Sequence, residues 1–577
     1  MQRRAEALPR TYSGRRRFVL VLFILAAAAL VVRAVERQIF ETDFLKSEGA
    51  DRYLDEVVVA AHRGAITDRH GVVLAMSAPV DSIAANPRLL RPDHERLHVL
   101  ARALEMDLDD LRHRLARYAH RHFIYLKRRL PPARAKRVME MARAQGIPGL
   151  QVRREYRRYY PDGEIFAHVV GFTDVDEKGQ EGVELAFEQD LAGRPGLKRV
   201  LRDGRGQVVA DVESLRMPRP GRNLALSLDQ RLQYIAYREL KAAVKRHRAR
   251  AGSVVVLDPR TGEVLAMVNQ PGYNPNGDRS SRGGRLLNRA VTQVFEPGST
   301  MKPFVVAAAL ERGVVGPSAR IDTGKGVLRV GRDQVKDHHP LGVVDLRTLL
   351  QKSSNVGAAK LALALPREEL YDTFRKLGFG GRTGITYPGE VSGRLRPARQ
   401  WARIEQATLS FGYGLSVTAL QLAQAYAVLA ADGVRRPPTL LRRTQAPEGE
   451  RVFSSRTARI VRRLMEAVVS QGGTGTEAAV PGYRVAGKTG TVKKAGKGGY
   501  QDGRYVALFA GMVPADAPRL VAVVMIDEPR GKAYYGGQVA APVFARIMDD
   551  ALRLLNVPPD EPGPGRGVRL VSLEKER

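Results

Sequence analysis

The sequence predicts an α+β fold, with one antiparallel five-stranded sheet closed by chain segments that lie far apart. Three observations carry that reading. Two apolar runs, residues 253–257 and 263–268, are joined by Asp258-Pro259-Arg260-Thr261-Gly262, the signature of a hairpin. Three more runs, 484–491, 505–513 and 520–526, come near the other end of the chain, the last two linked by Pro514-Ala515-Asp516-Ala517-Pro518. The long stretch between the two groups is mostly helix-like, so helices must pack on a sheet whose strands enter from both sides.

Bulk composition narrows the function classes. At 577 residues the chain has length for more than one domain and for a large core. Cysteine is absent, which removes disulfide frameworks, thiolate metal sites and cysteine nucleophiles. The histidines are scattered, so no metal and no cofactor is expected. A formal net charge of +33 suits an anionic partner: nucleic acid, membrane or wall polymer. Nucleic acid is disfavoured, because the basic residues are dispersed, aromatics make up only 6% and no nucleic-acid motif is present.

In chain order there are five segments. Residues 1–17 hold Arg3, Arg4, Arg10, Arg15, Arg16 and Arg17 against Glu6 alone. The wholly apolar run 18–32 is somewhat short of the ~20 residues a spanning helix needs. Snorkelling by Arg33 extends the anchor, which is set at 18–38. Beyond it, Arg37 and Lys46 mingle with Glu36, Glu41, Asp43 and Glu48. The positive-inside rule then puts 1–17 in the cytoplasm and the rest outside. A cleavable signal peptide is the competing reading. Arg15-Arg16-Arg17-Phe18 also suits a twin-arginine signal, apart from Gly14 where a serine or threonine is expected. Either alternative still exports the chain.

Residues 39–225 read as an elongated α+β pedestal. The stretch 62–75 forms two short strands around a turn, 90–145 looks helical and basic, 168–172 suits a strand and 182–191 a helix. No cluster there has catalytic spacing, and the basic helices read as a solvated face. Pro218-Arg219-Pro220-Gly221 cannot continue a helix and marks the boundary. Residues 226–555 are the sheet-bearing domain, opened by a helix-like segment at 230–247. The tail, 556–577, is rich in Pro, Gly and charge and is expected to be mobile.

Within 226–555 one stretch stands out: Phe295-Glu296-Pro297-Gly298-Ser299-Thr300-Met301-Lys302-Pro303-Phe304. Pro303 is tolerated only in a first helical turn, so a helix opens close to Ser299, and the hydroxyl feels the positive end of the dipole. Lys302 falls one turn on, on the same face. Taken alone, Ser299 reads as an N-cap. S-x-x-K by itself is weak, since Ser572-Leu573-Glu574-Lys575 in the tail matches it with no apolar helix behind it. Two downstream pieces change the weight: Ser353-Ser354-Asn355 in a helix-like region, and Lys488-Thr489-Gly490-Thr491 on a strand candidate.

Gly482-Tyr483-Arg484-Val485-Ala486-Gly487-Lys488-Thr489 also matches G-x-x-x-x-G-K-[ST], and 521–526 followed by Asp527-Glu528 resembles its usual partner strand. A phosphate-binding loop must open a helix, whose N-terminus supplies the aligned N–H groups. Here the chain runs on as a strand, and Gly496, Gly498 and Gly499 interrupt any helix. The next strand also follows too soon for a parallel crossover. A nucleotide hydrolase is therefore disfavoured.

In order, spacing and context, Ser299-x-x-Lys302, Ser353-x-Asn355 and Lys488-Thr489-Gly490 resemble the motifs of penicillin-binding proteins and serine β-lactamases. The likeness covers nearly the whole chain. Arg63-Gly64-x-Ile66-x-Asp68-Arg69 and Gly182-Val183-Glu184 look like the pedestal of class B penicillin-binding proteins. Asn288-Arg289-Ala290, Gly412-Tyr413-Gly414, Tyr535-Gly536-Gly537 and Ala541-Pro542-Val543-Phe544 fit their transpeptidase domain. No added glycosyltransferase domain is seen. Within class B the division-specific branch is the nearest likeness.

The resemblance implies a penicillin-binding, β-lactamase-like transpeptidase domain in the periplasm, held by a single-pass anchor in the bacterial inner membrane. It implies a serine-type D,D-transpeptidase that cross-links peptidoglycan stem peptides ending in D-alanyl-D-alanine at the septum, with β-lactams as covalent inhibitors. A membrane glycan polymerase and divisome proteins such as FtsW are the implied partners. The implied catalytic residues are Ser299 as nucleophile, Lys302 as base, Ser353 as proton carrier, Asn355 orienting Lys302 and a substrate amide, and Lys488 as the positive neighbour. Thr489, Gly490 and Thr491 bind substrate, and the backbone N–H groups of Ser299 and Thr491 form the oxyanion hole. Rival readings keep the same serine: an elongation-type transpeptidase, a D,D-carboxypeptidase or β-lactamase, or a β-lactam sensor.

Overall fold

The computed structural model describes residues 13–40, 54–202, 208–277, 285–496 and 499–561. Arg3, Arg4 and Arg10, and the tail match at Ser572 and Lys575, lie outside the described residues. The chain separates into two compact units, one of Met1–Ala61, Pro79–Glu155 and Arg194–Pro220, the other of His62–Ala78, Tyr156–Gly193 and Gly221–Arg577.

In the first unit, an α-helix over Ser13–Val35 is long and apolar enough to cross a membrane. Its 23 residues reach about 35 Å, against a bilayer core of about 30 Å. The helix outruns the apolar stretch at both ends, because neither Arg15-Arg16-Arg17 nor Arg33-Ala34-Val35 contains a breaker. Strands Leu54–Val59, Gly196–Arg202 and Val208–Arg216 make a small antiparallel sheet. A second module packs helices Leu97–Leu104, Leu108–Arg117 and Pro132–Ala144 around Ile83, Leu90, Ile124, Leu126 and Leu150. Asp107 caps the middle helix by accepting from the Asp109 and Asp110 N–H groups. The stretch 90–145 is not wholly helical: Ile124–Leu130 is a strand. Phe123-Ile124-Tyr125 favours a pleated conformation, and Ile124 and Leu126 bury at a spacing of two.

The second unit shows what the Arg63–Arg69 stretch is for. The Arg63 guanidinium is buried on the Glu184 carboxylate at 2.7 Å and reaches Glu188 at 2.7 Å. Arg158 holds the other Glu184 oxygen at 2.6 Å. Glu184 is fully buried, and its carboxylate is paired there with two arginines. Gly64 is required by a close approach, since a Cβ there would sit 2.0 Å from the Arg222 carbonyl oxygen. Ile66–Thr67 pairs in parallel with Leu224–Ala225. Asp68 accepts from the His70 and Val72 N–H groups and tightens the following turn. Residues 168–172 are not a strand: Ala167–Val170 is a single helical turn. Its four residues are all buried, so the run carries no period that could separate helix from strand.

The main sheet has strands β1 (Ala251–Leu257), β2 (Val264–Gln270), β3 (Ala486–Gly496), β4 (Gly499–Val513) and β5 (Leu520–Asp527). Their order is β2-β1-β5-β4-β3, with every neighbouring pair antiparallel. Strands β1, β2 and β5 are buried along their whole length, which is why they read as continuous apolar runs. Val254 and Val256 join a core with Leu240, Phe544 and Ile547, under helices Gln230–Arg246 and Ala541–Leu554. Val255 and Leu257 turn to the other face, with Leu422, Ala423 and Tyr426 of helix Ala419–Ala430 and Val305 and Val306 of helix Lys302–Glu311. That leaves β3 as the edge strand beside the helical lobe. The chain is held as far as Glu561, where Asp560 accepts from the Arg484 N–H at 2.8 Å and the Glu561 N–H donates to the Gly482 carbonyl.

Candidate active site

Ser299 lies in a 3-10 turn, Gly298–Met301, that runs straight into helix Lys302–Glu311 with Pro303 in its first turn. Gly298 has φ +59°. A Cβ on the facing Gly412 would fall 2.2 Å from the Gly298 carbonyl oxygen, so this turn and the Gly412-Tyr413-Gly414 loop meet backbone to backbone. Glu296 secures that loop by accepting from the Gly414 N–H at 2.9 Å. Below, the fully buried Tyr426 hydroxyl donates to the Thr300 carbonyl at 2.9 Å. Tyr426 and Phe304 pack edge to face at 5.3 Å. Ser299 itself is half-buried, on a turn with little freedom to move.

Lys302 is 0% exposed. Its Nζ donates to the Ser353 carbonyl at 2.5 Å, the Asn355 Oδ1 at 2.7 Å and the Ser353 Oγ at 3.0 Å. Three donors meet three acceptors, the full capacity of an ammonium. Burial pushes the Lys302 amine well below its ordinary value, and the charge of Lys488 pushes the same way, against a smaller opposing pull from Asp337.

The cage comes from a turn between two helices, Leu346–Gln351 and Asn355–Ala364. Ser353 sits there at φ +59°, a left-handed conformation that costs a non-glycine residue energy and turns both of its oxygens toward Lys302. Ser354 is the N-cap and accepts from the Gly357 N–H. The Asn355 Nδ2 donates to the Lys336 carbonyl at 2.9 Å, which fixes the amide with Oδ1 toward Lys302. Asp337 accepts from the Ser354 Oγ at 2.7 Å and from the Asn355 and Val356 N–H groups. The sequence pattern did not single out Asp337. Its partners are 17 to 19 residues away across a turn, and no local spacing signals that.

Opposite, β3 carries Lys488 to Thr491. Lys488 is fully buried, and burial brings it down to about 7. Among the described residues, its Nζ donates only to the Thr489 carbonyl, at 3.2 Å, and hydroxyl, at 3.4 Å. The Thr489 hydroxyl in turn meets that of Thr474 at 2.8 Å, a second residue absent from the sequence reading. A Cβ on Gly490 would lie 3.1 Å from the Pro297 carbonyl oxygen and 3.2 Å from the Leu508 Cβ, so the glycine lets the strand seat against the serine's own turn. The Thr491 hydroxyl accepts from the Gly536 N–H at 2.9 Å, which docks Tyr535-Gly536-Gly537 against the strand. The Lys488-Thr489 pair is thus mid-strand, in an antiparallel ladder with Ala510 and Phe509, not at the mouth of a phosphate loop.

Ser299, Lys302, Ser353, Asn355 and the Lys488–Thr491 strand therefore converge from three chain segments within one unit. The arrangement offers a serine hydroxyl on a fixed turn, a lysine made less basic, a hydroxyl against that lysine, and a strand edge alongside. This is the equipment of acyl transfer through a serine ester.

Comparison with known proteins agrees with this chemistry. The family described as "Penicillin binding protein transpeptidase domain" matches residues 252–549, and "Penicillin-binding Protein dimerisation domain" matches residues 58–226. The chain is 44% identical over 542 residues to the peptidoglycan D,D-transpeptidase FtsI of Escherichia coli strain K12, covering 93% of this chain and 91% of that protein. It is 44% identical over 568 residues to the probable peptidoglycan D,D-transpeptidase PenA of Neisseria gonorrhoeae, covering 98% of this chain and 97% of that one. Among solved structures, the apo transpeptidase domain of Burkholderia pseudomallei penicillin-binding protein 3 matches with a TM-score of 0.55 and 46% identity, over 58% of this chain and 98% of that one.

Proposed function

This chain belongs to the class B penicillin-binding proteins and is a serine-type peptidoglycan D,D-transpeptidase of that family, and we propose that Ser299 is its nucleophile and Lys302 its base. The observation that carries the assignment is the Lys302 cage. A lysine at its ordinary value of 10.5 could not accept a proton near neutral pH, whereas one lowered by burial can. A neutral amine has only two hydrogens, so one of the three acceptors is released and a lone pair becomes free for the Ser299 proton.

The Ser299 Oγ then forms a bond to the carbonyl carbon between the last two D-alanines of a donor stem peptide. The oxyanion rests between the N–H groups of Ser299 and Thr491. The C–N bond breaks, and the proton on Lys302 passes through the Ser353 hydroxyl to the departing D-alanine. An amine from a second stem peptide attacks the ester, gives up a proton along the same path, and releases Ser299 with its hydroxyl restored. Donor backbone pairs along β3, and its terminal carboxylate meets Lys488, Thr489 and Thr491. β-Lactams, which offer the same kind of acyl carbon, acylate Ser299.

By analogy with FtsI, the enzyme works at the division septum, with its catalytic unit outside the inner membrane and residues 1–17 in the cytoplasm. A membrane glycan polymerase such as FtsW is the partner this analogy brings. The test of the chemistry is product analysis with a natural donor and acceptor. Cross-linked dimers from the native enzyme, and none from Ser299→Ala, are expected; shortened monomers alone would make it a carboxypeptidase. Depletion in cells should give filaments, and rounded cells would mark an elongation enzyme.

A further inference from the structure

The segment that ends strand Asp333–Lys336 touches the catalytic machinery without contributing a reacting atom. Lys336 gives its carbonyl to the Asn355 amide, and the very next residue, Asp337, gives its carboxylate to Ser354 and to two backbone N–H groups. Together they fix the turn that cages Lys302. We propose that Asp337 is a positioning residue for the general base: its carboxylate clamps the Ser353-Ser354-Asn355 turn in the strained form that presents three acceptors to Lys302.

Three observations support this beyond a helix cap. Helix Asn355–Ala364 already has an N-cap in Ser354, which accepts from the Gly357 N–H, so a second capping carboxylate is not needed to start it. The Asp337 bonds instead fall on Ser354, Asn355 and Val356, the residues directly after the left-handed Ser353. A turn held in a costly conformation persists only where its surroundings over-determine it, and Asp337, with the Lys336 carbonyl, does so from outside the helix. Finally, Lys302 has two charged neighbours acting in opposite directions. Lys488, on β3, disfavours the ammonium form, and Asp337 favours it.

The inference rests on Lys302 being the base, and the experiment separates the two. Acylation by a labelled penicillin is followed with the full-length protein across pH, alongside thermal melting, for the native enzyme, Asp337→Asn and Asp337→Glu. If the native enzyme acquires no adduct on Ser299, the catalytic reading itself fails. Given that adduct, Asp337→Asn should lose on the order of tenfold or more of the acylation rate at its plateau, as expected when a catalytic group is slightly misplaced. Its acid limb should move to lower pH, because the charge that held the proton on Lys302 is gone. Asp337→Glu keeps the charge, so its limb should stay in place and part of the rate should return. A plateau within about twofold of native, or a lower plateau with an unmoved limb, would reduce Asp337 to a structural cap. If the asparagine variant does not fold, the glutamate variant decides: a reduced plateau with an unmoved limb supports the proposal, and a displaced limb overturns it.

Discussion

Lys302 and Lys488 are both fully buried, yet their nitrogens face different company. Lys302 sits at the start of a helix with three oxygen acceptors within 3.0 Å. Lys488 sits on a strand with the Thr489 carbonyl at 3.2 Å as its nearer partner. Burial lowers both, so neither is an ordinary surface ammonium. The difference lies in what each has left to give. Lys302 is saturated, held in one place and ready to exchange a proton with its neighbours. As an ammonium Lys488 directs two hydrogens at Thr489 and keeps one in reserve, which is what a group needs if it is to receive an incoming carboxylate. On the roles proposed for them, equal burial serves proton transfer in one lysine and recognition in the other.

Replacing Lys302 should break the comparison most severely. Lys302→Met removes the base and should reduce penicillin acylation by on the order of 10² to 10⁴, while the protein stays folded. A rate within tenfold of native would mean that another group takes the Ser299 proton. Lys488→Ala should cost less, about 1.5–3 kcal/mol of donor binding, because one charge-assisted hydrogen bond is lost. It should appear as a raised half-saturation for donors with a free terminal carboxylate. A donor amidated at that carboxylate should be nearly indifferent to the change, and equal losses for both donors would remove Lys488 from recognition.

How much of this was legible in the sequence depends on whether the information was local. Strands β1, β2 and β5 could be read directly, because burial on both faces leaves an unbroken apolar run. Ser299, Lys302 and Pro303 were legible for a similar reason: a proline in the first turn fixes where the helix starts. Ile124–Leu130 was hidden because basic residues follow its first two buried positions and give the pattern of an amphipathic helix. Ser353 showed its chemistry but not its left-handed backbone. Asp337 and Thr474 showed neither, since each acts only on residues that the fold brings to it.

Two smaller effects sharpen the account of the strand wall. Gly490→Ala should destabilise the protein by about 1–3 kcal/mol, because its methyl group would press on the Pro297 carbonyl oxygen at 3.1 Å and on Thr300. Denaturant unfolding measures this, and no change would mean that the serine's turn has slack. A further signal is in pH. Lys488 stands at about 7 in the folded chain against 10.5 ordinarily, so between those values the unfolded chain binds a proton that the folded chain does not. Stability should therefore rise with pH across that window, with Lys302 adding in the same direction. Lys488→Met should flatten the slope, and an unchanged slope would place its source elsewhere.

The central claim, that Ser299 is the acylated nucleophile, is tested most directly by mapping the adduct of a labelled penicillin on the intact chain. One adduct per molecule is predicted, on the peptide that carries Ser299, with none on Ser299→Ala. An adduct on any other serine, or one that survives in Ser299→Ala, would contradict the account.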